Sequence, residues 1–183
     1  TLYTGPFVFE NNVFGPFRFR VIHLGATMKK GLIFRHNTLL YAPNHDWVTH
    51  AGRTIPRFEL GYEFSLWGGS VWHENFQMYN NILSEELSRN SALDSYGYVG
   101  GNLFMGGSSE VEDKGYGAVV SSPAHAPVPG TVDEWLAAGY LDRMLPADSV
   151  AIDAGSDFNP VPVDFNNVVR DGSPDVGAFE YRD

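Results

Sequence analysis

Apolar residues in this chain come in short bursts, and four of the bursts are built around an asparagine. They are Phe9-Glu10-Asn11-Asn12-Val13-Phe14, Phe34-Arg35-His36-Asn37-Thr38-Leu39, Met78-Tyr79-Asn80-Asn81-Ile82-Leu83 and Val99-Gly100-Gly101-Asn102-Leu103-Phe104. Counting from Asn12, Asn37, Asn81 and Asn102, an apolar residue always stands three before and another two after. The steps are 37−12 = 25, 81−37 = 44 and 102−81 = 21 residues. Two of them fit one turn of a stacked repeat, about 20–30 residues, and the third is roughly one repeat too long. Each burst is too short to bury its own apolar face, so the pattern predicts strands that stack on their counterparts. Asparagine tolerates the left-handed backbone of a sharp corner. Its amide can then bond to the same asparagine one turn away, forming a ladder. The competing pattern is a β-sandwich with ordinary turn asparagines, which would not need matching apolar flanks.

The stretch 42–73 breaks the period. It holds His45, Asp46, Trp47, His50, Arg53, Arg57, Trp67, Trp72 and His73 without steady alternation. We read it as a loop insertion thrown out from one corner, with a short hairpin within residues 57–70. Residues 1–106 then form the stacked turns, and residues 107–183 a connector, a helix and a terminal turn or cap. "SSPAHAPVPG" is an extended, proline-rich connector. "TVDEWLAAGYLDRM" predicts one short helix: Thr131 and Glu134 make a capping box, and Val132, Trp135, Leu136, Tyr140 and Met144 share a face.

Composition narrows the classes. At 183 residues and 43% hydrophobic the chain can bury one sizeable core, so it is not a disordered segment. No apolar run nears the ~18 residues of a membrane span, so no membrane insertion is expected. A formal charge of −10 argues against a nucleic-acid partner, which demands a basic footprint. The absence of cysteine excludes disulfides and thiolate metal sites. The chain opens on strand-like residues from Thr1 rather than Met, and we expect its natural N-terminus to lie elsewhere.

With "NNVF", "HNTLL", "NNIL" and "GGNLF" in place, followed by "SVAIDAGS" and "VDFNNVVRDGSPDVGAFEY", the chain resembles the bacterial right-handed parallel β-helix repeat proteins, in their C-terminal part. Asp164, Arg170, Gly172, Asp175, Gly177, Ala178, Phe179 and Glu180 match that family's terminal motif position by position. The resemblance implies an all-β fold: a right-handed parallel β-helix, a pectate-lyase-like solenoid, here with one short C-terminal helix. It also implies an extracellular or cell-surface protein that binds or processes polysaccharide. Other family members have more coils and an N-terminal cap, so catalytic residues in those coils would be missing here.

Three groups of side chains could carry chemistry. Trp47, Trp67 and Trp72 with His45, His50 and Arg53 would make a sugar platform, indoles stacking on a pyranose and polar groups addressing its hydroxyls. The alternative is that the indoles pack the loop onto the solenoid. A lyase would draw its base from Lys30 or Arg35, with Lys29 beside them, and a hydrolase would pair Asp46 with Glu59 or Glu63. Near the C-terminus, Asp164, Asn166 and Asp175 offer oxygens suited to Ca²⁺, against a structural role in which Asp164 or Asp175 pairs with Arg170.

These readings lead to carbohydrate binding or polysaccharide processing. The alternative is a structural β-helix subunit that stacks into a fibre or larger assembly. Either way the apolar start of the chain, from Leu2 to Phe9, needs a cover, from upstream coils of the same precursor or from another subunit.

Overall fold

The computed structural model describes residues 5–17, 22–24, 31–41, 48–50, 53–55, 64–66, 76–83, 97–104, 117–119 and 145–182. Thirteen short strands run through them: β1 (Phe7–Glu10), β2 (Val13–Phe17), β3 (Ile22–Leu24), β4 (Leu32–Arg35), β5 (Thr38–Tyr41), β6 (Val48–His50), β7 (Arg53–Ile55), β8 (Phe64–Leu66), β9 (Phe76–Tyr79), β10 (Ile82–Leu83), β11 (Gly97–Gly100), β12 (Asn102–Phe104) and β13 (Gly117–Val119). No helix occurs among the described residues. The helix expected over residues 131–144 lies outside them.

Nine of the thirteen strands form two parallel sheets. One has the order β1-β4-β9-β11, the other β13-β12-β10-β5-β2. Each asparagine burst therefore gives one strand to the first sheet, turns a corner, and gives the next strand to the second. The four arches stack in chain order. The register follows the sequence repeat: Phe9, Phe34, Met78 and Val99 lie in one column of the first sheet. In the second sheet Phe14 is level with Leu39, and Leu83 with Phe104. The Phe14 ring stacks on Phe34 at 5.8 Å, so these columns meet between the sheets. Phe34, Met78, Leu39, Leu83 and Phe104 are fully buried there. Of the residues three before and two after each asparagine, these five are buried, and Phe9, Phe14 and Val99 are half-buried beside them.

The ladder is present, and it is directional. The main-chain N–H and side-chain Nδ2 of Asn12 both donate to Asn37 Oδ1, each at 3.0 Å. Asn37 donates likewise to Asn81 Oδ1 at 2.9 and 3.0 Å. Asn81 donates to Asn102 Oδ1 at 3.1 and 2.9 Å. Each Nδ2 also reaches back to a carbonyl of the preceding arch: Asn37 to Phe9, Asn81 to Phe34, Asn102 to Met78. Asn37, Asn81 and Asn102 are fully buried, and their polar groups are satisfied by one another.

The corner itself falls one residue earlier than the sequence reading places it. The left-handed residues are Asn11, His36, Asn80 and Gly101, with φ of 54°, 50°, 54° and 63°. Backbone strain and ladder bonding are thus divided between neighbours. The first needs a residue that tolerates positive φ, and the second needs a side chain with both a donor and an acceptor.

The long step between Asn37 and Asn81 also takes shape. β8 pairs in parallel with β3, Ile22 level with Phe64 and Leu24 with Leu66. Part of the 42–73 stretch is therefore stacked on the segment that follows β2. An antiparallel hairpin occurs where β6 meets β7, with Val48 opposite Ile55 and His50 opposite Arg53; of the hairpin expected within residues 57–70 only β8 lies among the described residues.

Residues 145–182 contain no strand longer than an isolated bridge between Val163 and Val169, yet they are well packed. They lie over the corner on its outer side. Leu145, Ala151 and Val176 bury against Ile82 and Leu103. This explains why two apolar residues follow the asparagine in the later bursts. Successive strand residues face opposite ways, so Leu83 and Phe104 fill the space between the sheets while Ile82 and Leu103 fill the outer face beneath the C-terminal segment.

Candidate functional site

The outer face of the first sheet gathers the polar and aromatic side chains that the ladder does not use. Glu10, Arg35, Tyr79 and Gly100, each two residues before a ladder asparagine, are level with one another across the sheet. One pleat away Val8, Ile33, Gln77 and Tyr98 form the next column. Residues 156–159 of the C-terminal segment cross both columns.

Arg35 is the centre of the group. Its Nε and Nη2 donate to Glu10 Oε2 at 2.9 and 2.7 Å. Its Nη1 donates to Tyr79 Oη at 2.8 Å and to the Asn159 carbonyl at 2.9 Å. Tyr79 Oη donates to the same carbonyl at 3.2 Å. Burial alone would lower the Arg35 pKa, but the hydrogen bonds to Tyr79 and Glu10 outweigh it and hold the guanidinium above its ordinary value. A guanidinium so held keeps its proton, so the geometry makes Arg35 a fixed cation and hydrogen-bond donor rather than a proton acceptor.

Beside it is an aromatic group. Phe158 stacks on Tyr98 with ring centres 4.1 Å apart and planes 27° from parallel, and it meets Tyr79 edge-on at 5.2 Å. Tyr79 is fully buried while Phe158 remains 39% exposed. An exposed ring next to a charged pair has the two elements of a sugar subsite, an apolar platform and directional polar groups at its margin. The sequence reading missed Glu10, Tyr79, Tyr98 and Phe158. The first two were legible, because they occupy the same place in their bursts as Arg35 does in its own.

The C-terminal acids are committed elsewhere. Asp164 Oδ1 accepts the N–H groups of Asn166 and Val168 at 2.7 and 2.8 Å, and Oδ2 accepts that of Glu180 at 3.0 Å. Asp175 accepts from Asp153 and Tyr181 at 2.7 and 2.5 Å. Both carboxylates are buried caps for irregular backbone, and a Ca²⁺ ion would have to displace those donors. Asn166 enters through its N–H alone. Among the described residues no group of three or more His, Asp or Glu is arranged to hold a metal ion. Arg170 pairs with Glu180, Nη1 to Oε2 at 2.9 Å, rather than with the carboxylate of Asp164 or Asp175. Its other bonds go to the Asp175 and Gly177 carbonyls and to Asn11 Oδ1. Burial pulls Arg170 below its ordinary pKa against the field of Glu180, and burial raises Asp175 despite its backbone donors.

His36 sits where this segment meets the corner, with no exposed surface. The Asn80 amide is oriented by Ser156, whose N–H donates to Oδ1 and whose carbonyl accepts from Nδ2, both at 2.8 Å. Asn80 Nδ2 is thus the group facing His36 Nε2 at 3.1 Å, which assigns the imidazole proton to Nδ1. Burial first, and then the charge of Arg170, lower the His36 pKa to about 3.

Lys30, His45, Asp46, Trp47, Trp67 and Trp72 lie outside the described residues, as do Lys29, Glu59 and Glu63. His50 and Arg53 are opposite one another on β6 and β7, which places them together at the hairpin. No family model, no characterised protein and no solved structure matches the chain.

Proposed function

We propose that this chain is a segment of a right-handed parallel β-helix, related to the bacterial β-helix repeat proteins, that recognises carbohydrate outside the cell or at its surface. The observation that supports the architecture is the unbroken asparagine ladder joining two parallel sheets at one corner. Carbohydrate recognition draws on the outer face, where Phe158 and Tyr98 stack beside Arg35 and Glu10. The hairpin carrying His50 and Arg53 would add polar groups to a sugar site.

Titration of the chain with neutral and uronate oligosaccharides, followed by tryptophan fluorescence and calorimetry, tests this reading. The expected result is saturable binding of at least one oligosaccharide class, weakened by Phe158→Ala. A panel that leaves both signals flat would discard carbohydrate recognition.

A second reading, a structural subunit that stacks into a larger assembly, is supported by apolar exposure on β1: Phe7 is 49% and Val8 46% exposed, although Leu32, level with Phe7, is only 1% exposed.

A further inference from the structure

Asn159 is the one asparagine of the chain that is followed by proline. An asparagine has two routes to a cyclic imide. In the first, the N–H of the next residue attacks the side-chain Cγ and ammonia leaves. In the second, the side-chain Nδ2 attacks the residue's own main-chain carbonyl carbon and the chain is cut. Proline has no N–H, so Pro160 closes the first route and leaves the second.

The carbonyl that the second route attacks is held by the outer-face group. Arg35 Nη1 donates to the Asn159 oxygen at 2.9 Å, and Tyr79 Oη donates to it at 3.2 Å. Both donors are fixed beforehand, Arg35 by its two bonds to Glu10 and Tyr79 by full burial. Two donors converging on one carbonyl oxygen, one of them a cation, stabilise the negative charge that develops there in acyl transfer. The nucleophile is free. Asn159 and Pro160 are exposed, and among the described residues no hydrogen bond occupies the Asn159 side-chain amide.

We propose that the chain cuts itself between Asn159 and Pro160, with Asn159 Nδ2 as nucleophile and Arg35 and Tyr79 as the oxyanion hole. Nδ2 bonds the Asn159 carbonyl carbon and gives up a proton to solvent, and the oxygen carries the charge between its two donors. As the carbonyl re-forms, the bond to the Pro160 nitrogen breaks. That nitrogen takes a proton from solvent and leaves as a secondary amine. No water is consumed and nothing is oxidised or reduced. Residues 1–159 end in a cyclic imide, lighter by one water than a hydrolysed fragment, and the imide opens later by adding water.

Both sides of the cut remain anchored. Leu145 and Ala151 lie before it, and Val161, Arg170, Val176, Phe179 and Glu180 after it, all buried. The two pieces should therefore stay together in native buffer and separate on denaturation. The activity is independent of carbohydrate binding.

The test holds the purified 183-residue chain at neutral pH and samples it by denaturing electrophoresis and intact mass. The expected products are residues 1–159 with the imide mass and residues 160–183 with an N-terminal proline. Asn159→Gly, which suits the positive φ of 47° but lacks the amide, should give neither. Arg35→Gln should slow the cut about 10²-fold, the usual loss for one oxyanion donor. Tyr79→Phe keeps the buried ring and should slow it about tenfold, so it decides the matter if Arg35→Gln fails to fold. The chain unfolded in urea keeps the Asn-Pro sequence but loses both donors, and should cut no faster than Arg35→Gln.

An intact folded chain would overturn the proposal. So would equal rates in urea and in native buffer, because the fold would then contribute nothing. Unchanged cleavage in Tyr79→Phe and Arg35→Gln would remove the oxyanion hole, and fragments from Asn159→Gly would make water the nucleophile; each overturns it as well.

Discussion

In the arches a buried N–H finds its acceptor on a neighbouring arch, whether a backbone carbonyl or an asparagine Oδ1; between Leu145 and Tyr181 it often finds a carboxylate. Asp164 takes three N–H groups. Glu180 takes those of Asp171 and Asp175 as well as Arg170. A repeat satisfies its backbone by adding another copy of itself, at no cost in charge. An irregular segment has no such neighbour and must carry its own acceptors into the interior, where each needs a compensating cation or several donors. The arches therefore depend most on their buried middle rungs and least on the partly exposed first one, and the C-terminal segment is vulnerable at a few ionic positions.

The largest effect should come from breaking the ionic side of this contrast. Arg170→Ala leaves Glu180 buried without its cation and should cost about 3–5 kcal/mol in urea denaturation. Hydrogen exchange on the variant should show residues 145–182 opening while the Asn37–Asn81 rungs stay protected. Equal loss in both regions would mean that they are one cooperative unit.

Within the ladder, position should decide the cost. Asn81→Ala, in the buried middle, should destabilise by about 2–3 kcal/mol, and Asn12→Ala, at the partly exposed end, by less than about 1 kcal/mol. Denaturation midpoints that agree for the two variants would erase the distinction between interior and end.

The junction of the two regions should respond to acid. His36 is neutral when folded, with a pKa lowered to about 3, and takes up a proton near 6.5 when unfolded. Its contribution is complete above pH 6.5 and is lost as pH falls toward 3. Between pH 7 and 5 the loss should be about 2 kcal/mol, fixed by the unfolded-state pKa alone. The charged side chains acting on it are those of Arg170 and Arg35, and the backbone of Asp175 and Gly177 acts against them. Asp175, raised by burial, acts in the opposite sense, at lower pH where carboxylates titrate. The stability difference between the chain and His36→Asn at pH 7 and 5 isolates the effect, and an unchanged difference would refute it.

The smallest effect belongs to the outer face. Glu10 is bonded to Arg35 but its side chain is 41% exposed. Glu10→Ala should cost less than about 1 kcal/mol, shrinking further in salt. A larger loss would show that the Arg35 group anchors the C-terminal segment more firmly than a surface pair can.

Much of the arch architecture was legible because three signals coincided at each burst: the asparagine, the apolar residue before it and the apolar residue after it. The corner was misread by one position because Asn11-Asn12 and Asn80-Asn81 are doublets, in which either residue suits positive φ. The other two bursts held the answer, since Gly101 precedes Asn102 and His36 precedes Asn37. The C-terminal segment was less legible. A charge partner for Arg170 was foreseeable, but that it is Glu180 depends on how an aperiodic backbone folds back over ten residues, which no periodicity encodes. The outer-face group was half legible, in the alignment of Glu10, Arg35 and Tyr79. Phe158 reaches it from 60 residues beyond Tyr98, by tertiary packing alone.

The C-terminal segment touches every arch. It bonds Asn11 of the first through Val163 and Arg170, Thr38 of the second through Ala178, Asn80 of the third through Ser156 and Gly177, and Tyr98 of the fourth through Ser156. The bonds to Asn11 close loops of 152 and 159 residues, the longest intervals among the hydrogen bonds of the described residues. During synthesis the arches leave the ribosome in their stacking order, and each can settle on the one before. The residues that bind them all together emerge after the four arches. Until then Ile82 and Leu103 lack the cover that Leu145, Ala151 and Val176 give them. A chain stalled or truncated before residue 145 would thus present these apolar side chains to chaperones and proteases.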